Sequence, residues 1–400
     1  MNSFFKRAAC FFAALSMAIM SAVGYYGQNL PDSFYVSGEG LPSLGIILKM
    51  TEPESGDEAA PAGSFSGTAE SATVSLLGVI PVKRAEIIRT EAPVLIPGGT
   101  PVGIKLLTEG VVVVSTQDVA GGISPAEEAG IRAGDCIVSA NGEDLASSNR
   151  LADIIMSSHG DEISLRVRRD GREFSTELIP RFSDAEGTYK AGLWIKDSSA
   201  GVGTMTYIDP KTGCFGALGH PISDSETKKI LPLGSGEIVD VTITGCDKGS
   251  AGCPGELFGT FLSGLAAGNI KRNCEQGIFG TLNYIGSRRE ALPIAFKTEV
   301  EPGAAKMLTT IEGNTPQEYD IVIEKLSLAE GSDTKNLIVR VTDRRLLEST
   351  GGIVQGMSGS PIIQNGKIVG AVTHVFVSDP TMGYGIFIEN MLKAAGQLER

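Results

Sequence analysis

The stretch "GGIVQGMSGSPIIQNGKIVGAVTH", residues 351–374, sets Ser358 in a turn of small residues just ahead of an apolar strand. A hydroxyl in such a turn becomes a nucleophile when a base takes its proton and a third group orients the base. It also needs backbone donors facing the developing oxyanion. Glycines on both sides of Ser358 let the backbone curl so that nearby N–H groups point to one spot. The amides of Gly356 and Ser358 are the oxyanion pair such a turn offers. Ser360 is a rival nucleophile, but the proline after it suits a strand entry. The chain holds three histidines as candidate bases. His159, in "SSHGDE", reads as a surface turn residue. His220, in "GALGHPI", directly follows a strand. His374 lies on the strand after Ser358 and reads in two ways: lining the pocket for the substrate residue before the scissile bond, or hydrogen-bonded in a core. The plain alternative for the whole stretch is a glycine hairpin with an incidental serine.

These residues need elements to hold them. From 189 to 400, short apolar runs alternate with glycine turns, as in "GVGTMTYIDP", "CFGALGHPI" and "GEIVDVTITG". That pattern predicts a β-barrel or a pair of barrels. Residues 95–182 read as a separate unit. It has a glycine loop with strands, a short helix ending at Gly130, and a strand closed by the Asn141-Gly142 turn. A capped helix and a hairpin turning at Asp170-Gly171 follow. Residues 74–94 read as connecting strands. Within 28–73, the stretch 51–73 is rich in Gly, Ser, Ala, Pro and Glu, and the segment is expected to be a flexible linker. At the start, 1–27, Lys6 and Arg7 precede an apolar run from 8 to about 26. This is an export signal or a membrane anchor, with a retained anchor favoured. The positive-inside rule then places everything after Gly27 outside the cytoplasm.

Composition narrows the function classes. The net charge is −13 and no Lys/Arg cluster tracks a phosphate backbone, which argues against nucleic-acid binding. Six cysteines, at 10, 136, 214, 246, 253 and 274, form no CxxC pair, and no zinc-ligand spacing appears. Neither metal nor cofactor is implied. Cys246 and Cys253 could bridge, although free core thiols are the simpler reading.

Two resemblances add to this. "SPAEEAGIRAGDCIVSANGEDL" resembles a PDZ domain of the bacterial protease type, which binds an extended peptide or chain terminus as an added strand beside a helix. The loop "TPVGIKL" stands where the carboxylate-binding loop would be. The backbone amides of Val102, Gly103 and Ile104 are therefore expected to form an anion nest. Leu151 and Ile155, four apart on the capped helix, either line the groove or lie in the core.

The turn "QGMSGSP" resembles the nucleophile turn of chymotrypsin-like proteases, with Met and Ser in place of the usual Asp and second Gly. Together, "GHPI", "VTDRRLL" and residues 351–388 resemble the stage IV sporulation protein B family, and so does the order anchor, linker, PDZ, serine peptidase. The resemblance implies a mainly β protein with a few helices: a PDZ domain, then a chymotrypsin-like double β-barrel peptidase, preceded by an N-terminal anchor or signal. It implies His220 as general base, Asp343 as orienting acid and Ser358 as nucleophile. Asp240, in "GEIVDVTI", is the alternative acid, and a turn cap is the plain reading of Asp343.

The resemblance further implies a peptidase between the membranes around a forespore. It would cut itself near the N-terminus and cut a membrane-bound regulatory partner, triggering sigma-factor activation. The PDZ unit would bind a partner's terminus or the chain's own N-terminal region. The rival readings are an inactive PDZ scaffold and a broad-specificity envelope quality-control protease.

Overall fold

The structure is a computed structural model describing residues 2–45, 47–51, 69–119, 121–262, 265–286, 289–329 and 334–398. Helix α1 (Asn2–Asn29) is continuous, and its stretch Arg7–Asn29 is long and apolar enough to cross a membrane, consistent with a signal or anchor. Strands β1 (Ser33–Val36), β2 (Leu48–Thr51), β3 (Ala69–Leu76) and β4 (Ile80–Arg89) form a small sheet in the order β1-β4-β3-β2, with β1 parallel to β4. Phe34, Val74 and Ile87 are fully buried in it, and Tyr35 stacks on Phe296 near the C-terminal unit. The expected linker over 28–73 therefore needs correction. The aromatic and aliphatic residues of 33–36 and 48–51 find burial, which offsets their ordering entropy. Residues 52–68 lie outside the described residues. Nor are 74–94 mere connectors, since β3 and β4 are the centre of this sheet.

Next come β5 (Val94–Pro97), β6 (Pro101–Thr116), α2 (Pro125–Glu128), β7 (Cys136–Ala140), β8 (Glu143–Asp144), α3 (Ser148–Ser157), β9 (Ile163–Arg169), β10 (Arg172–Leu178), β11 (Arg181–Ser183), β12 (Thr188–Lys190) and β13 (Leu193–Ile208). Ser124 and Ser147 cap α2 and α3 through their side chains. The turns at Asn141-Gly142 and Asp170-Gly171 have positive φ at both central residues, as a two-residue hairpin requires. The apolar core of this unit holds Val111, Ile137, Leu151, Ile155, Leu165 and Val167.

The chain continues through β14 (Cys214–Ala217), β15 (Leu233–Asp247), β16 (Glu256–Phe261), β17 (Gly268–Cys274), β18 (Gly277–Leu282) and β19 (Leu292–Pro293). Strands β6-β15-β17-β18-β14-β13 pair in that order, and β6 also pairs with β13, so among the described residues the six close a first barrel. Ile104, Met205, Phe215 and Ile238 fill it. A second closed barrel follows: β20 (Gly303–Thr309), β21 (Gln317–Leu326), β22 (Leu337–Val341), β23 (Pro361–Gln364), β24 (Lys367–Phe376) and β25 (Asp379–Phe387) pair as β20-β21-β22-β25-β24-β23. Helix α4 (Arg344–Thr350) precedes β23, and α5 (Ile388–Ala395) ends the domain. The fold is mainly β, with a double barrel, as expected.

The unit boundaries differ from the expected 95–182 and 189–400. Residues 102–107 of β6 pair with β13 on one side and β15 on the other, inside the first barrel. Residues 111 and 112 pair with β7 of the inserted unit. Gly110 (φ 87°), whose carbonyl accepts the Thr108 hydroxyl at 2.6 Å, sits where one role passes to the other. One long strand thus serves two sheets, and the first barrel is completed only after the inserted unit returns through β13. The glycine-punctuated "PGGTPVGIKL" reads as a loop in isolation, but both of its edges are paired here.

Candidate active site

Ser358 lies between α4 and β23, and the turn is pressed against the first barrel. The Thr204 amide donates to the Ser358 carbonyl at 3.0 Å, and the Thr204 hydroxyl donates to the Gly356 carbonyl at 2.8 Å. The Thr206 hydroxyl donates to the Gly359 carbonyl at 2.8 Å. A Cβ on Gly359 would sit 2.1 Å from the Thr204 carbonyl and 2.5 Å from the Leu218 nitrogen, so only glycine lets the turn approach this closely. Gly356 also has φ of 95°. The N–H groups of Gly356 and Ser358 carry no hydrogen bond among the described residues, although their neighbours Met357, Gly359 and Ser360 all donate. A turn that satisfies three amides and leaves two open is suited to receive an anion.

His220 approaches from the first barrel. It follows β14 through Leu218 and Gly219, both with φ of 69°. A left-handed leucine is unusual and costs about 1–3 kcal/mol. Leu218 is buried in the first-barrel core, and its amide donates to the Thr204 carbonyl at 3.3 Å, which holds the turn in place. The His220 ring lies 4.9 Å from the His374 ring, centroid to centroid, tilted by 40°. Its Nδ1 lies 2.9 Å from the Pro221 carbonyl. Burial lowers the His220 pKa below the usual histidine value.

His374 follows a β-bulge. Val372 faces Gly385 and His374 faces Tyr384, so Thr373 is the extra residue. The Thr373 carbonyl accepts the Ser358 hydroxyl at 2.6 Å. His374 is thus exposed beside His220 rather than hydrogen-bonded in a core, and desolvation, His220 and Lys335 together hold its pKa down.

Ser358, His220 and His374 therefore meet at the seam of the two barrels, with no hydrogen bond joining the serine to either ring among the described residues. Such bonds are often long in resting sites and tighten on substrate binding. Ser360 is fully buried, donates to the Met357 carbonyl at 2.6 Å and bonds the Thr309 hydroxyl at 2.9 Å, so its role is structural.

No contact joins the expected acid, Asp343, to His220 among the described residues. Asp343 is the N-cap of α4, accepting from the Arg345 amide at 2.9 Å, from the Arg345 guanidinium at 2.7 Å and from the Asp320 amide at 3.3 Å. Arg345 holds the carboxyl down to about 2. Ile338 and His374 both face Tyr384, and Asp343 lies 343 − 338 = 5 residues further along. Strand β22 ends at Val341, three residues or about 10 Å past Ile338, and Asp343 follows it at the start of α4. The alternative, Asp240, accepts from the Tyr284 hydroxyl at 2.9 Å and makes no contact with His220 either. Among the described residues, no carboxylate contacts His220.

The expected peptide-binding loop is also corrected. Val102, Gly103 and Ile104 are paired with 201–203 of β13 and with 238–240 of β15, so they form no open nest. Leu151 and Ile155 lie in the core of the inserted unit, 0% and 6% exposed. All six cysteines are free, and only Cys136 is buried, where burial pushes its thiol up to about 11. His159 sits exposed in its turn, against Tyr189. Sequence reasoning missed Thr204 and the strained Leu218. The only sequence signal for either was their position in glycine-rich runs.

The family model described as SpoIVB peptidase S55 matches residues 187–392, and one described as PDZ domain matches 119–169. Among solved structures, the PDZ domain of the SdrC-like protein from Listeria monocytogenes is 26% identical, covering 22% of this chain and 87% of its own, with a TM-score of 0.20. The Rv3671c protease from M. tuberculosis is 13% identical in its active form, covering 50% of this chain and 76% of that one, with a TM-score of 0.29. Its inactive form is also 13% identical, covering 49% and 84%, with a TM-score of 0.27.

Proposed function

This chain belongs to the SpoIVB peptidase S55 family and is a serine peptidase with a PDZ domain, and from that premise we propose that it is a membrane-associated endopeptidase acting in endospore formation. It cuts itself on the N-terminal side and cuts a membrane-bound regulatory protein, which triggers sigma-factor activation in the neighbouring compartment. The space between the forespore membranes is where such an enzyme meets that substrate, and helix α1 would take the chain there.

Ser358 attacks the peptide carbonyl and His220 takes its proton. The open amides of Gly356 and Ser358 receive the oxyanion. His220 then protonates the leaving amine, and water releases the acyl group. To reach His220 the Ser358 hydroxyl must leave the Thr373 carbonyl, a rotation about one side-chain bond. The observation that carries this reading is the pair of unbonded amides at the barrel seam, beside a histidine whose pKa burial lowers.

The test is intact mass over hours on the full-length protein in detergent, wild type beside Ser358→Ala. Truncation on the N-terminal side in the wild type alone is expected. Equal truncation in both, or none in either, would count for an inactive scaffold. Digestion of generic unfolded protein would count for quality control.

A further inference from the structure

We propose that residues 193–196 are a displaceable internal ligand of the PDZ unit, and that their displacement is felt at the Ser358 turn. A PDZ unit binds peptide by adding it to a strand edge beside a helix. In this chain the edge is the second half of β6, whose other side is taken by β7. That edge is already filled. Leu193, Trp194, Ile195 and Lys196 pair antiparallel with Thr116, Ser115, Val113 and Val112.

The side chains alternate as those of a bound peptide would. Leu193 and Ile195 pack on the core that contains Leu151 and Ile155 of α3, while Trp194 points outward, 60% exposed. The Asp197 carboxylate then accepts from the amide and hydroxyl of Ser148 at the start of α3, at 2.7 and 2.8 Å.

The same strand runs on to the site. After a register shift between Lys196 and Ser198, β13 joins the first barrel and carries Thr204 and Thr206, which hold the carbonyls of Gly356, Ser358 and Gly359. A further register shift lies within the segment, between Trp194 and Ile195, and the one at Lys196 separates it from the barrel half, so 193–196 can leave the PDZ edge with 198–204 still paired. An extended peptide with aliphatic side chains at alternate positions replaces it, and 198–204, still paired but freed of its tether at the PDZ edge, adjusts against the Ser358 turn. The coupling half rests on Ser358 being the nucleophile; the groove half does not.

The probe is a fluorescent peptide copying residues 191–197, AGLWIKD, followed by anisotropy on the full-length protein. Three forms are compared: wild type, Leu193→Ser/Ile195→Ser, and Asp197→Ala, which leaves every core residue in place. The internal ligand competes with the peptide, so the double variant binds at least tenfold more tightly than wild type and Asp197→Ala at least threefold. Equal affinity in all three overturns the proposal.

In parallel, the rate of Ser358 labelling by a fluorophosphonate is read with and without saturating peptide, and it rises at least threefold with peptide. A rate unchanged within twofold while the peptide binds overturns the coupling. Failure of every form to label, at any reagent concentration, would sink the nucleophile assignment and leave the anisotropy result to judge the groove.

Discussion

Ser358 and Asp343 stand 358 − 343 = 15 residues apart in the second barrel, and they differ in how much hydrogen-bonding capacity their surroundings use. Around Asp343 every acceptor direction has a partner: two backbone amides and a guanidinium. Around Ser358 two amides are open, the hydroxyl rests on a bulge carbonyl, and the neighbouring glycine tolerates no side chain. The first arrangement is what ends a strand and starts a helix. The second leaves polar groups waiting in a partly buried seam, a state that costs stability unless a ligand or reaction uses it. An acidic residue near a nucleophile in sequence can thus spend its acceptors on a helix cap rather than on a base.

The comparison breaks most decisively at His220. Replacing it by alanine should lower the fluorophosphonate labelling rate by about a thousandfold or more, since the hydroxyl loses its base. A loss below tenfold would move the base to His374 and reverse our assignment of the two rings.

Next in size is Asp343. Asp343→Asn keeps an N-cap acceptor but loses the charge facing Arg345. We expect labelling within tenfold of wild type, because the carboxylate makes no contact with His220 among the described residues. Asp343→Ala also removes the cap, and a thermal melt should show a loss of about 1 kcal/mol. A fall of about 10⁴ in Asp343→Asn, with stability unchanged, would mean that Asp343 reaches His220 in the working enzyme.

What could be read from the chain follows the range of the interactions. The Asn141-Gly142, Asp170-Gly171 and Asn365-Gly366 turns are set by two residues each, and all three adopt positive φ at both positions. The caps at Ser124 and Ser147 are equally local, and so is the cap at Asp343, which its plain reading had right. The role of β6 was not legible. Whether Val102 to Ile104 are loop or strand depends on β13 and β15, roughly a hundred residues or more downstream. Thr204 was invisible for the same reason, because its partners, Gly356 and Ser358, lie in the other barrel.

The smallest expected effect separates the two regions by pH. At the seam, burial lowers the pKa of His220, so the folded state disfavours its protonation. His374 is shifted in the same direction by desolvation and by the charges of His220 and Lys335. A group with a lowered folded pKa contributes stability that is full above its unfolded value. That stability is lost as pH falls through the folded one. For the histidines the loss begins below about pH 6.5. For Asp343 it begins near the ordinary carboxylate range and ends near its folded value of about 2. Thermal melts from pH 7 to 5 should therefore soften in wild type and in Asp343→Asn alike, and less in His374→Gln. The acid limb of labelling, which needs neutral His220, should lie below pH 6.5 in wild type and in Asp343→Asn. An acid limb above 6.5 would mean that a carboxylate stabilises protonated His220 after all, and the contrast between the two regions would fail.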